Sequence, residues 1–275
     1  MSGTLDHRTI TVRGHAVEVA EAGNGPPLLY LHGLADLHAA VPDWLPFQTE
    51  LHKSFRLVAP ALPACAGSDE DEDIETIDEL AFRMIETIDA LGLDQIDLAG
   101  TCAGGWIAAE IAVRHPERVK RLALIAASGL FLPEAPVADL FWHVQPVNGS
   151  DFSSLRHLFF GDEGTAQAKA FIPDGRGDPA HEMLRYKTMR FASRFGFHPP
   201  YFYDRRLRER LDRYKGPALI LWGAEDHLVP PAHAEAYCAG LANATLRMLP
   251  GVGHSPHIEA PTVVADALRQ FFARP

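Results

Sequence analysis

No stretch of this chain approaches the roughly 18 consecutive apolar residues that a membrane-spanning helix needs. Its first residues, Met1-Ser2-Gly3-Thr4-Leu5-Asp6-His7-Arg8, lack the apolar core of a secretory signal. Cysteine is scarce. The three present, Cys65, Cys102 and Cys238, are odd in number and show no metal-like spacing, a usage that fits a reducing cytoplasm. The 14 histidines form no His-Glu-x-x-His or paired-ligand pattern, so no metal is expected. Positive charge is also short. Against 36 Asp and Glu stand 25 Lys and Arg, and the net charge of −11 argues against a nucleic-acid backbone or an anionic membrane as partner. Internal repeats and low-complexity linkers are missing too. What remains is a protein expected in the cytoplasm and acting on a small molecule, with assembly into identical copies left open.

What is there is a large core. The chain has 275 residues, 47% of them hydrophobic. Arg8–Arg13 and Ala16–Glu21 alternate polar and apolar residues across Gly14, which predicts an antiparallel hairpin with one wet face. Leu28–Leu31 is a continuous apolar run, as a strand buried on both faces requires. Phe55–Pro60, Gln95–Ala99, Leu122–Ala127, Ala218–Trp222 and Thr245–Leu249 read as further strands. Between them, Thr76–Leu91 carries Leu80, Met84, Ile88 and Leu91 at helical spacing, and helices are expected over 106–113, 232–241 and 263–272. The acidic run Asp69–Asp73 reads as a solvated loop leading into a helix. Alternating strands and helices imply an α/β fold with a mostly parallel central sheet and helices on both faces. The alternation breaks after Ser128. Residues 131–212 are rich in aromatics, arginine, proline and glycine, and predict a helical insertion between core segments 1–130 and 213–275.

The chain turns on Gly100-Thr101-Cys102-Ala103-Gly104-Gly105, set between a predicted strand and a predicted helix. Glycines two before and two after a central residue suit a strained strand-to-helix turn that holds that residue in the open at a helix N-terminus. Further strand ends carry His32-Gly33-Leu34, Asp226 and His254. In an open parallel sheet, reactive groups collect at such ends.

With Leu31-His32-Gly33, the Cys102 turn, Trp222-Gly223-Ala224-Glu225-Asp226 and Gly253-His254 in that order, the chain resembles cap-bearing α/β-hydrolases of the esterase and carbon–carbon hydrolase type. The resemblance spans nearly the whole length. It departs in two respects: the usual serine nucleophile is Cys102, and the aspartate that the family often has after the Phe55–Pro60 strand is Ala61. Dehalogenases and epoxide hydrolases of this group use an aspartate nucleophile, and the cysteine argues against both. The resemblance implies a Cys102–His254–Asp226 triad, an oxyanion hole from the Leu34 and Ala103 N–H groups, a cap domain over the site, and no cofactor. Pocket-lining roles would fall to His32, Gly33, Asp36, Phe131, Trp142 and Phe159, with loop solvation the alternative for Asp36 and His38. The implied activity is hydrolysis of an ester, thioester or activated carbon–carbon bond of a small apolar substrate. Three alternatives stand beside it: acyl transfer from the same acyl-cysteine to another acceptor, a natural serine hydrolase carrying a Ser-to-Cys substitution, and a non-catalytic ligand-binding protein on this fold.

Overall fold

The N-terminal alternation becomes a hairpin in the computed structural model, which describes residues 6–39, 41–140, 153–174, 178–196 and 202–273. Strands β1 (Asp6–Val12) and β2 (His15–Ala22) pair antiparallel through Arg13 and Gly14, whose φ angles of 49° and 88° suit a tight turn. The apolar runs become β3 (Pro27–Leu31), β4 (Arg56–Pro60), β5 (Ile96–Thr101) and β6 (Val119–Ile125). A short ribbon of β7 (Gly129–Leu130) and β8 (Tyr203–Asp204) stands apart, and β9 (Pro217–Gly223) and β10 (Asn243–Leu249) complete the set.

Eight strands form one sheet in the order β1-β2-β4-β3-β5-β6-β9-β10. The pairs β1–β2 and β2–β4 are antiparallel, and every pair from β4 to β10 is parallel. Successive residues of β3, β5 and β9 are buried, which requires cover on both faces, whereas edge strand β10 alternates. Helices α1 (Pro46–Leu51), α2 (Ile77–Ala90) and α3 (Cys102–Arg114) supply cover together with helices Ala232–Gly240 and Pro261–Phe272. Thr76 caps α2 reciprocally with Glu79, and Leu80, Met84 and Ile88 fill the core as their spacing predicts. None of the described helices is long and apolar enough to cross a membrane.

Because β3 lies between β4 and β5, the winding of the sheet reverses there. The crevice outside the carboxyl ends of β3 and β5 is where such sheets place their chemistry.

Between β7 and β8 the described residues contribute helices Arg156–Phe159, Ala166–Phe171 and Pro179–Gly196, and no strand of the central sheet. Trp142 lies outside the described residues. Leu207 and Leu211 are fully buried, and Arg213 Nε donates to the Val113 carbonyl of α3 at 2.8 Å. The acidic run is a loop before α2 with Asp69, Glu72 and Asp73 exposed, as its pattern predicts, but it is not wholly solvated. Asp69 accepts from the Ala16 amide at 2.6 Å, Asp71 is buried against Arg83, and Glu70 accepts from Arg190 at 3.0 Å and from Arg194. Arginines one helical turn apart on Pro179–Gly196 thus find one carboxylate, and the run is a docking strip for that helix.

Candidate active site

The turn after β5 is as tight as its glycines imply. Cys102 sits at φ 49° and opens α3 directly, four residues before the helix-like run beginning at Trp106. Glycines lower helix propensity, so sequence alone starts the helix late; close packing overrides this. A Cβ on Gly104 would stand 2.2 Å from the Leu31 carbonyl oxygen, and one on Gly100 would stand 2.4 Å from that of Gly104. Neither gap admits a methyl group. A Cβ on Gly33 would meet the Cys102 Cβ at 2.9 Å, so the loop after β3 presses directly on the turn. Ala103 is in the first turn of α3, where amides lack intrahelical acceptors.

The predicted acid and histidine meet. His254 Nδ1 and Asp226 Oδ2 are 2.9 Å apart, both residues buried. The other Asp226 oxygen accepts the Leu228 and Val229 amides at 3.0 and 2.8 Å, so the carboxylate cannot swing away from the ring. Neighbouring Glu225 is exposed. His254 Nε2 is buried without a completed hydrogen bond, and the Cys102 side chain is close enough to act on the ring's charge. Such contacts are commonly long until substrate binds. Phe159 packs edge-on against His254, ring centroids 5.5 Å apart. Glu259 spans the same loop from below, taking the Gly253 amide with one oxygen and the Gly161 amide with the other, each at 2.9 Å.

The loop after β3 is braced from within. His32 is buried, accepts the Leu62 amide on Nε2 at 3.0 Å and donates from Nδ1 to the Gly33 carbonyl at 3.0 Å. It therefore links two strand-end loops, and its polar atoms are occupied. Asp36 and His38, expected to line the pocket or face water, do neither. Asp36 has no exposure, and its oxygens serve Tyr30, Thr101, Gly33 and Leu37. His38 is 1% exposed and bonds the Ala59 carbonyl at 3.0 Å. Phe131 packs against Tyr203, ring centroids 5.0 Å apart, with the Arg205 guanidinium over its ring at the β7–β8 ribbon. Sequence reasoning passed over Tyr30, Thr101, His257 and Glu259. For Tyr30 a signal existed, since a phenol inside a strand buried on both faces must find a partner. Away from this edge, Asp78, Glu110 and Asp204 also converge, with Arg114 on the first two.

These burials have consequences for pH. Burial pushes His32 and His257 down, and burial aided by His32 takes His38 down to about 3. In the unfolded chain each imidazole titrates near 6.5, so below that pH the unfolded state binds protons that the fold refuses, and stability falls as pH drops. His254 runs the other way. Burial lowers it, but Asp226 and Cys102 outweigh burial and lift it to about 10. Its contribution is present below pH 6.5 and lost as pH rises toward 10. His38→Asn isolates one term, since asparagine tolerates the φ of 64° at this position. By pH 5 the wild type should lose about 2 kcal/mol, relative to pH 7, that the variant keeps. Thermal melts of both proteins at pH 7, 5 and 4 check this; parallel curves would refute it.

A strained strand-to-helix turn bearing a nucleophilic side chain, with a carboxylate-held histidine at the same edge of a parallel sheet, is the layout of a nucleophilic hydrolase. The chain belongs to the alpha/beta hydrolase fold family, which matches residues 26–261. It is 28% identical over 279 residues to 2-hydroxymuconate semialdehyde hydrolase of Pseudomonas sp. strain CF600, covering 97% of this chain and 93% of that protein. It is 25% identical over 261 residues to pimeloyl-[acyl-carrier protein] methyl ester esterase of Nitrosomonas europaea, covering 90% and 95%. The fold of a meta-cleavage product hydrolase from Pseudomonas fluorescens IP01 matches with a TM-score of 0.77 over 97% of each chain, at 21% identity.

Proposed function

We propose that this hydrolase forms an acyl-enzyme on Cys102, from an ester, a thioester or an activated carbon–carbon bond next to a carbonyl, in a small apolar substrate. The observation that carries the reading is the His254–Asp226 pair beside a cysteine held at positive φ on the strand-to-helix turn. The two named relatives, a semialdehyde hydrolase and a methyl ester esterase, support both bond classes.

In this reading the Cys102 proton rests on His254 Nε2, in keeping with that ring's lifted pKa, and the sulfur adds to the substrate carbonyl. The carbonyl oxygen becomes an oxyanion and receives the Leu34 and Ala103 N–H groups. Collapse expels the alcohol, thiol or stabilised carbanion, which His254 protonates. A water, deprotonated by the same nitrogen, then releases the acid and restores the thiol. Asp226 holds the ring with its proton on Nδ1 and stabilises the imidazolium. Residues 131–212 act as the cap, with Phe159 as an apolar wall against the base. Neither a metal nor a cofactor takes part.

The test is intact mass after incubation with activated esters of increasing acyl length. The wild type should gain one acyl group that turns over. Cys102→Ala should abolish the adduct, while Cys65→Ala and Cys238→Ala retain it. Cys65 is fully buried, and burial pushes its thiol up to about 12, so it should not react. An adduct that survives Cys102→Ala would overturn the assignment. A wild type that binds the esters but never acylates would make this a binding protein.

A further inference from the structure

The most unusual group near the crevice is the Asp36 carboxylate. It has no exposure, and the only ion-pair partner described for it is the His257 ring, 4.0 Å away. A charge so placed is costly unless hydrogen bonds replace water. Four do. Oδ2 accepts the Tyr30 hydroxyl, the Thr101 hydroxyl at 2.7 Å and, at the long distance of 3.4 Å, the Gly33 amide; Oδ1 accepts the Leu37 amide at 2.6 Å. Tyr30 and Thr101 are also 2.8 Å apart, hydroxyl to hydroxyl.

The sequence positions of these donors give the arrangement its meaning. Gly33 immediately precedes Leu34, and Thr101 immediately precedes Cys102 and Ala103. One carboxylate therefore ties the loop bearing one oxyanion donor to the strand end bearing the other. Gly33 lets the two approach to van der Waals contact, and Asp36 sets how they meet.

We propose that Asp36 is the positioning residue of the oxyanion hole, fixing the separation and aim of the Leu34 and Ala103 N–H groups through Gly33 and Thr101. The inference rests on the acyl-enzyme reading above. An oxyanion hole works because its donors are aimed before charge develops, so a loosened loop costs rate at the transition state and leaves ground-state binding alone.

The experiment compares the wild type with Asp36→Asn, Tyr30→Phe and Thr101→Val. Asparagine keeps the size but offers one acceptor atom in place of two. Four quantities are read on each protein: kcat and KM for p-nitrophenyl butyrate, affinity for an alkyl trifluoromethyl ketone, and alkylation of Cys102 by iodoacetamide. The ketone captures the thiol as a tetrahedral oxyanion; alkylation forms no oxyanion at all. In Asp36→Asn, kcat should fall about 10²-fold with KM unchanged, ketone affinity should fall in proportion, and alkylation should hold its rate. Tyr30→Phe and Thr101→Val, each leaving three donors, should show smaller losses of the same pattern. They decide the matter alone if Asp36→Asn does not fold. Equal losses in alkylation and acylation would make Asp36 a fold-holding residue and overturn the proposal, as would undiminished ketone affinity. A wild type that alkylates at Cys102 but takes no acyl group would instead overturn the acyl-enzyme reading and this proposal with it.

Discussion

Asp226→Asn should lower turnover about 10⁴-fold while the protein stays folded. The carboxylate does two separable things. Its Oδ1 ends the Leu228 and Val229 amides, a structural task that an asparagine oxygen can perform. Its Oδ2 meets His254 Nδ1 at 2.9 Å, and there the variant presents an NH2 group. Two donors cannot face each other, so the ring moves its proton to Nε2, the nitrogen that receives the Cys102 proton in the proposed mechanism. The base then has nothing to accept with. Glu225→Gln is the control, because Glu225 is exposed and should change little. The measurement is kcat/KM on an activated ester, with circular dichroism to follow the fold. Loss in Glu225→Gln with retention in Asp226→Asn would move the acid by one residue.

The second large effect concerns the atom at residue 102. A thiolate attacks readily and also leaves readily, so a tetrahedral adduct on Cys102 can return to reactants by expelling sulfur. Thioesters and activated esters tolerate this because their own leaving groups are good. A serine hydroxyl must lose its proton during attack and leans harder on His254. In a site shaped for cysteine, Cys102→Ser should acylate more slowly on an activated ester, whereas a site that naturally served serine should gain on the order of the 10²–10⁴-fold that a well-placed base supplies. Single-turnover acylation and deacylation, read on one ester and one carbon–carbon substrate, check this. A large gain on both substrates would reverse the reading and make the protein a serine hydrolase carrying a cysteine.

Local signals carried far in this chain, and their limits are physical. Gly100, Gly104 and the apolar runs around them made the turn and the parallel sheet legible, because a missing Cβ and a strand buried on both faces leave few alternatives. Asp226 and His254 were legible through their place at strand ends. What local pattern could not supply was long-range charge pairing. Glu70 reads as one more residue of a wet acidic loop until Arg194, 124 positions later, is folded onto it. Asp36 reads as a loop aspartate until Thr101, 65 positions away, donates to it. Phe131 and Phe159 are alike in sequence, yet one stacks on Arg205 and the other on His254. A ring's destination depends on the packing of the whole segment and not on its neighbours in the chain.

Glu259 bears on how such a protein could be rebuilt. Its two oxygens hold Gly161 of the segment between β7 and β8 and Gly253 beside the histidine, and the glycines leave no room between them: a Cβ on Gly253 would stand 2.4 Å from the Gly161 nitrogen. The Glu70 contacts on the other side are ion pairs between partly exposed side chains, which salt or a neighbouring residue can replace. The helix that carries their arginines also buries Thr188, whose hydroxyl donates to the Ala39 carbonyl at 3.2 Å, so only the ion pairs themselves are exchangeable. A designer who replaces the segment between β7 and β8 can redraw those pairs. At the glycine side the graft must reproduce a bare backbone amide at the place of Gly161, or the spliced piece will shift the loop that carries His254.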